Sequence, residues 1–238
     1  MPRNHTAIVI GAGSGIGRAL SVLLAESRFD LLLVSRTIAH IEETAQLARH
    51  QGRDVTISTL SADVSDPSAC RKVIDQAVTQ FGRIDAIANV AGYAVQATVE
   101  ATTPEQWRRM IDTNVSYVMY LTAAVWPVFR QQHSGVIVNV SSMASVDPFP
   151  GFAMYASAKV ALNMFTRVTA DEGKAIGVKA VAVAPGAVET PMLRGLFDQA
   201  AVPADRALAP REVARVIRDC ITGERAFVSG ETILVPSP

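Results

Sequence analysis

Three side chains between Ser142 and Lys159 have the types and spacing that proton transfer to an oxygen atom requires. Tyr155 and Lys159 are four residues apart in a helix-like stretch, so they lie one turn apart on the same face. An ammonium beside a phenol favours the phenolate and lowers the phenol pKa from about 10, so the phenol can exchange a proton with a carbonyl or an alcohol. Ser142 ends the preceding strand, where its hydroxyl could hold the same oxygen. Taken alone, the pattern also fits a Tyr packed at a helix end beside a solvated Lys.

A glycine-rich turn near the start of the chain has the context of a dinucleotide site. His5–Ile10 is a short apolar run with β-branched residues, which is typical of a buried parallel strand. Gly11, Gly15 and Gly17 follow in a G-x-x-x-G-x-G spacing, and an apolar helical pattern comes next. Glycines let the backbone approach a pyrophosphate, and the helix N-terminus offers free N–H groups and the positive end of its dipole. The alternative interpretation is a tight turn that binds nothing.

Strand-like and helix-like segments alternate along the chain. The strands are expected near 6–10, 30–35, 55–61, 84–88, 135–141 and 178–184, and the helices near 15–28, 38–51, 67–81, 104–130, 152–176 and 211–222. Such alternation predicts a Rossmann-like α/β fold, in which a doubly wound parallel sheet is covered on both faces. No linker or repeat divides the chain, so residues 1–238 are expected to form a single domain. Its ligands should bind at the carboxyl ends of the strands.

The composition excludes several classes of partner. Lys plus Arg and Asp plus Glu both number 22 among the 238 residues, so no basic surface for nucleic acid is expected. The most apolar long stretch, 117–129, is shorter than the roughly 20 residues of a membrane span. The four His residues have no metal-binding spacing, and Cys70 and Cys220 are expected to be buried free thiols. We therefore expect a cytoplasmic protein without a metal site.

The ordered motifs resemble those of one family, the classical short-chain dehydrogenases/reductases, from about Thr6 to Thr190. In chain order they are Gly11-x-x-x-Gly15-Ile16-Gly17, Asp63-Val64, Asn89-Val90-Ala91-Gly92, Asn114, Ser142, Tyr155-x-x-x-Lys159 and Pro185-Gly186. The resemblance implies a catalytic tetrad of Asn114, Ser142, Tyr155 and Lys159. It also implies that Asn114 holds a water molecule that links Lys159 to solvent.

The resemblance further implies which residues bind a nicotinamide cofactor. Asp63 would accept from the adenine amino group, with a helix-cap role as its alternative, and the backbone after Pro185 would hold the nicotinamide amide. The implied cofactor-binding residues are Gly11, Ser14, Gly15, Ile16, Gly17, Ser35, Arg36, Asp63, Val64, Asn89, Ala91, Gly92, Tyr155, Lys159, Pro185, Gly186, Val188 and Thr190.

The end of the second strand indicates which cofactor is used. An NAD enzyme typically has an acidic residue here, which accepts from the ribose 2′-OH and would repel a 2′-phosphate. This chain has Ser35, which can donate, and then Arg36, whose planar guanidinium suits a phosphate. The sequence therefore predicts NADP(H). The alternative is that Arg36 only stacks on the adenine and tolerates both cofactors.

These patterns predict an NADP(H)-dependent carbonyl reductase or alcohol dehydrogenase. Candidate substrate-pocket residues carry few charges, which favours a neutral or apolar carbonyl; they are Tyr93, Met143, Phe149, Met192, Leu193 and Phe197. A 3-oxoacyl-thioester reductase is the nearest alternative, and a non-enzymatic NADP(H) sensor is the alternative from another class. Residues 190–208 are expected to form a substrate lid, with a static amphipathic helix as the alternative. The long apolar helices at 104–130 and 152–176 predict a homodimer or homotetramer.

Two positions depart from the pattern of the family. Ile10 stands before the first glycine, where the family usually has a Thr whose hydroxyl tethers the segment 89–92. The chain ends Val235-Pro236-Ser237-Pro238, without the usual Asp-Gly-Gly turn.

Overall fold

Seven short apolar segments form one parallel sheet in the computed structural model, which describes residues 4–238. The first three residues of the predicted 1–238 domain lie outside the described residues. The strands are β1 (His5–Ile10), β2 (Phe29–Ser35), β3 (Ile57–Ser61), β4 (Ala86–Asn89), β5 (Gly135–Val140), β6 (Val178–Pro185) and β7 (Thr232–Val235). Their order is β3-β2-β1-β4-β5-β6-β7, so the winding direction reverses between β1 and β4. A crevice for ligands is expected at the carboxyl ends of these two strands.

Eight α-helices connect the strands or extend the loops between them. They are α1 (Gly15–Glu26), α2 (Ile38–Gln51), α3 (Pro67–Phe81), α4 (Pro104–Ile111), α5 (Tyr117–Gln132), α6 (Ala153–Gly173), α7 (Pro191–Leu196) and α8 (Pro210–Thr222). Asp66 caps α3 by accepting from Ser68 N, and Thr103 forms a capping box with Gln106 at the start of α4. Among residues 4–238, no helix combines the length and apolarity needed to cross a bilayer.

The helices cover both faces of the sheet because successive strand residues point to opposite sides. In β1, Ala7 and Val9 pack in one core with residues of α1, α2 and α8. Ile8 and Ile10 pack on the opposite face with residues of α3, α5 and α6. Cys70 and Cys220 are buried and free, as predicted. The predicted Rossmann-like doubly wound sheet is confirmed.

Three features differ from the sequence-based expectation. The helix expected at 104–130 contains a π-helical turn at Asp112–Ser116, which separates α4 from α5. A seventh strand, β7, was not predicted; it ends at Val235, directly before Pro236. The helix expected to reach 176 ends at Gly173 and is followed by a short 3₁₀ turn, Lys174–Ile176.

Candidate active site

A cleft of about 780 Å³ lies at the carboxyl ends of the strands and is lined by residues from the segments that follow β1 to β6. Most of the predicted site residues line it: Gly11, Ser14, Gly15, Ile16, Ser35, Arg36, Asp63, Val64, Ala91, Gly92, Ser142, Tyr155, Lys159, Pro185, Gly186, Val188 and Thr190. All six predicted substrate-pocket residues line it as well. Gly17, Asn89 and Asn114 do not.

Ser142, Tyr155 and Lys159 meet in this cleft through two adjacent elements. Ser142 follows β5 and caps a short 3₁₀ turn, where its Oγ accepts from Ala144 N at 3.1 Å. Tyr155 and Lys159 share one face of α6, and the Lys159 Nζ lies 5.4 Å from the centroid of the Tyr155 ring. Lys159 is 3% exposed, and its Nζ donates to the Val140 carbonyl at 2.9 Å. The cleft therefore brings together a phenol, a hydroxyl and a buried amine.

Burial controls the ionisation of this group. Desolvation raises the pKa of Tyr155, and a hydrogen bond with Ser142 opposes that rise. Desolvation also lowers the pKa of Lys159 to about 7, so its positive charge is only partial at neutral pH. The sequence-based expectation of a lowered Tyr155 pKa is therefore not met, because burial is the largest influence on this phenol.

Asn114 lies in the π-helical turn and points to neighbouring backbone rather than into the cleft. Its Nδ2 donates to Tyr93 O at 2.8 Å and to Met110 O at 2.9 Å, while its Oδ1 accepts from Tyr93 N at 3.3 Å. The side chain is 1% exposed. These bonds clamp the backbone of Tyr93, which itself lines the cleft. The expected role of Asn114 in holding a water molecule stays a prediction.

Two predicted cofactor-binding residues that do not line the cleft make structural contacts. The Asn89 side chain is buried, and its Nδ2 donates to Asn139 Oδ1 at 2.8 Å, which links β4 to β5. Gly17 lies one turn into α1, where a Cβ atom would come within 2.1 Å of the Gly11 carbonyl oxygen. Gly17 therefore lets α1 pack closely on the glycine-rich turn.

The segment at 89–92 is anchored although Ile10 replaces the usual Thr. Val90 N and Ala91 N both donate to the Ile10 carbonyl, at 3.0 and 2.9 Å. The buried Tyr117 hydroxyl donates to Ala91 O at 2.8 Å. Backbone bonds and a phenol thus hold this wall of the cleft without the threonine hydroxyl.

Backbone N–H groups at two places along the cleft suit a dinucleotide. Ser14 precedes α1 and makes no side-chain cap, so the first N–H groups of α1 remain available to an anion. The Val188 residue is 7% exposed and lines the cleft, and its N–H has no acceptor among residues 4–238. A pyrophosphate would satisfy the first set of donors, and a carboxamide oxygen would satisfy the second.

The end of the cleft next to β2 carries donors that suit a phosphate. Ser35 and the exposed Arg36 line it together with His40 from the first turn of α2, a residue that sequence reasoning missed. Asp63 also lines this end, and its Oδ1 accepts from Ser65 N and Oγ, bonds that together with the nearby Arg36 lower the pKa of this carboxyl. Glu43 lies on α2 nearby but pairs with Arg18 at 2.7 Å. The sequence placed the start of α2 at residue 38, as observed, but His40 carries no motif that indicates its place in the cleft.

Aromatic side chains form the wall beside Tyr155. Phe152, which was not predicted, contacts Tyr155 edge to face at 6.2 Å and stacks on Phe197, which follows α7, at 5.7 Å. Phe149 packs on Phe152 at 4.6 Å. The exposed Arg109, also not predicted, lines the cleft and stacks over the Tyr93 ring at 4.2 Å. The substrate side is therefore largely apolar, with one guanidinium at its margin.

Comparison with known proteins agrees with this geometry. Residues 5–201 match the family model of short chain dehydrogenases. The chain is 31% identical to an uncharacterised oxidoreductase of Staphylococcus saprophyticus, over 99% of this chain and 97% of that protein. It is 30% identical to a 3-oxoacyl-[acyl-carrier-protein] reductase of Thermotoga maritima, over 95% and 94% of the two chains. The crystal structure of levodione reductase is similar with a TM-score of 0.91 and 25% identity, over 98% and 96% of the two chains.

Proposed function

The chain belongs to the short chain dehydrogenase family and is an oxidoreductase, and we propose that it transfers a hydride between NADP(H) and a carbonyl or secondary alcohol. The strongest support for this proposal is one observation. Tyr155, Lys159 and Ser142 line the same cleft as the uncapped start of α1 and the unpaired Val188 N–H. A non-enzymatic sensor would need the dinucleotide cradle but not this buried phenol and amine.

The residues of the cleft divide the chemistry among them. NADP(H) supplies or accepts the hydride when it is bound. Ser142 holds the substrate oxygen, and Tyr155 gives the proton to that oxygen or removes it. Lys159, in its charged form, stabilises the phenolate that forms when Tyr155 loses its proton. It also holds the nicotinamide ribose. Asn114 acts as a positioning residue, because it fixes the backbone of Tyr93 beside these groups.

An apolar carbonyl compound is the substrate class that the cleft favours. Phe149, Phe152 and Phe197 contribute an aromatic wall next to Tyr155. A 3-oxoacyl thioester is the second candidate, and two observations favour it. Arg109 at the margin could bind a phosphate on a long thioester arm, and one relative is named a 3-oxoacyl-[acyl-carrier-protein] reductase. NADPH oxidation with matched apolar ketones and 3-oxoacyl thioesters distinguishes the two.

The proposal also covers a substrate lid, the oligomeric state and the cellular location of the protein. Residues 190–208 would close over the substrate, with Phe197 already stacked on Phe152. A homodimer or homotetramer would form through the exposed apolar residues of α5 and α6. The two free thiols favour a cytoplasmic setting.

Cofactor preference tests the proposal directly. Arg36 and Ser35 would donate to the 2′-phosphate, and charge-assisted hydrogen bonds contribute about 1.5–3 kcal/mol. We therefore expect kcat/KM for NADPH to exceed that for NADH by at least about tenfold. Ser35→Asp combined with Arg36→Ala should reverse the order, whereas Arg53→Ala, which changes an exposed arginine outside the cleft, should leave it unchanged. A wild-type kcat/KM for NADH equal to or above that for NADPH would refute the NADP(H) assignment.

A further inference from the structure

The end of the chain lies against the turn that follows β6. Ser237 Oγ accepts from Ala187 N at 2.7 Å and is 3.4 Å from Ala187 O, to which it donates. Gly186 N donates to Val235 O at 2.9 Å, so β7 and the tail after it run along this turn. These bonds come from the segment in which the sequence departs from the pattern of its family.

The contact between tail and turn is close enough to require a glycine. A Cβ atom on Gly186 would lie 2.3 Å from Ser237 Oγ and 2.8 Å from Ser237 N. Ser237 is half-buried, so its hydroxyl is part of the packed structure and not a solvated end. Any larger residue at position 186 would push the tail away and break the bond to Ala187.

The bonds to Ala187 determine which backbone donor remains for a ligand. Its N–H is taken by Ser237, and its carbonyl also accepts from Leu208 N at 2.9 Å. The next amide along the chain, Val188 N–H, lies in the cleft wall and has no acceptor among residues 4–238. A buried N–H without a partner is unfavourable, so this group is suited to donate a hydrogen bond to a ligand oxygen.

We propose that Ser237 is a positioning residue for the nicotinamide end of the cofactor. Its hydroxyl occupies Ala187 N–H and fixes the turn, so that the free Val188 N–H meets the carboxamide oxygen of the nicotinamide. This role rests on the proposed function, because it requires a nicotinamide cofactor in the cleft. Ser237 does not line the cleft and acts only through Ala187.

Two ligands and two matched variants test this role. NADPH reaches the turn after β6, whereas adenosine 2′,5′-bisphosphate contains only the adenosine end and carries no nicotinamide. Ser237→Ala removes the hydroxyl beside the cleft. Ser229→Ala is the control, because Ser229 Oγ accepts from Ala180 N at 3.1 Å and so caps the same strand, β6, away from the cleft.

We expect Ser237→Ala to weaken NADPH binding by about two- to tenfold, the loss of one hydrogen bond. Its affinity for adenosine 2′,5′-bisphosphate should remain that of the wild type, and Ser229→Ala should bind both ligands like the wild type. Titration calorimetry with each ligand measures both affinities.

Three results would overturn this role. An equal loss of both ligands in Ser237→Ala, including loss of folding in a thermal melt, would make the tail merely structural. Unchanged NADPH binding by Ser237→Ala would mean that Ser237 has no role in the cofactor site. A wild type that binds neither ligand would refute the proposed function itself, which distinguishes that failure from a failure of this inference.

Discussion

Lys159 is the residue whose charge depends most on its surroundings. It is 3% exposed, and its ammonium has one protein acceptor, the Val140 carbonyl. Desolvation lowers its pKa from 10.5 to about 7. Near neutral pH the site can therefore hold or release this proton, which suits a group that supports proton transfer by Tyr155.

The same shift predicts how stability changes with pH. Below about pH 7 both the folded and the unfolded chain carry the ammonium, and the folded chain bears the full cost of its burial. Between about pH 7 and 10.5 the unfolded chain binds more protons at this site, so the free energy of unfolding rises with pH by up to about 1.4 kcal/mol per unit. Urea unfolding at several pH values from 7 to 9 measures this rise.

In the Lys159→Met variant the free energy of unfolding should not show this rise with pH, because position 159 then carries no titratable group. Lys179→Met, which replaces an exposed lysine on β6, should keep it. Parallel pH curves for the wild type and Lys159→Met would mean that burial does not shift the Lys159 pKa as described.

At the scale of elements, the sequence predicted the features that depend on neighbouring residues. β1 with its glycine turn, the capped starts of α3 and α4, and the shared face of Tyr155 and Lys159 all follow from adjacent residues. β7 was not predicted, although β4, which is equally short, was. The π-helical turn was not predicted because one extra residue per turn produces no recognisable sequence pattern.

Contacts between distant segments were likewise not predictable. The Asn89 amide donates to Asn139, 50 residues away, and this bond between β4 and β5 was not predicted. Phe152 becomes part of the substrate wall only because Phe197 stacks on it. Such pairings depend on how elements pack, which a single sequence does not specify.

The segment after β6 provides a prediction at this scale. α7 is only six residues long, and Arg194 within it pairs with Glu189 and donates to Val202 O at 2.8 Å. These bonds connect α7 to Glu189 before it and to Val202 later in the proposed lid, residues 190–208. We expect NADPH to slow amide hydrogen exchange across α7, as measured by mass spectrometry, while α2 residues beyond His40 change little. Equal exchange with and without NADPH would favour a static helix.

At the scale of the whole molecule, two helices expose more apolar surface than a solvated face needs. Met119 and Tyr120 on α5 are 46% and 40% exposed, and Val160, Met164 and Val168 on α6 are 47–57% exposed. The α5 and α6 helices belong to the same face of the sheet. A second copy of the chain would bury both stripes across a two-fold axis.

Light scattering at micromolar concentration should give at least twice the monomer mass of 25.4 kDa. Met164→Glu should lower that mass, because it places a charge in the proposed interface. Leu47→Glu, at an exposed leucine on α2, should not. A stable wild-type monomer would rule out the assembly.

The transfer of label from the cofactor to the product tests the central claim most directly. The wild type is supplied with NADPH that carries deuterium at nicotinamide C4, on the face from which hydride leaves, together with the best ketone of the panel. Mass spectrometry should find one deuterium on the carbinol carbon of the alcohol. Tyr155→Phe should bind NADPH normally but form labelled alcohol about 10²–10⁴ times more slowly. Unlabelled alcohol from the wild type, or a Tyr155→Phe variant that forms labelled alcohol at the wild-type rate, would contradict the account.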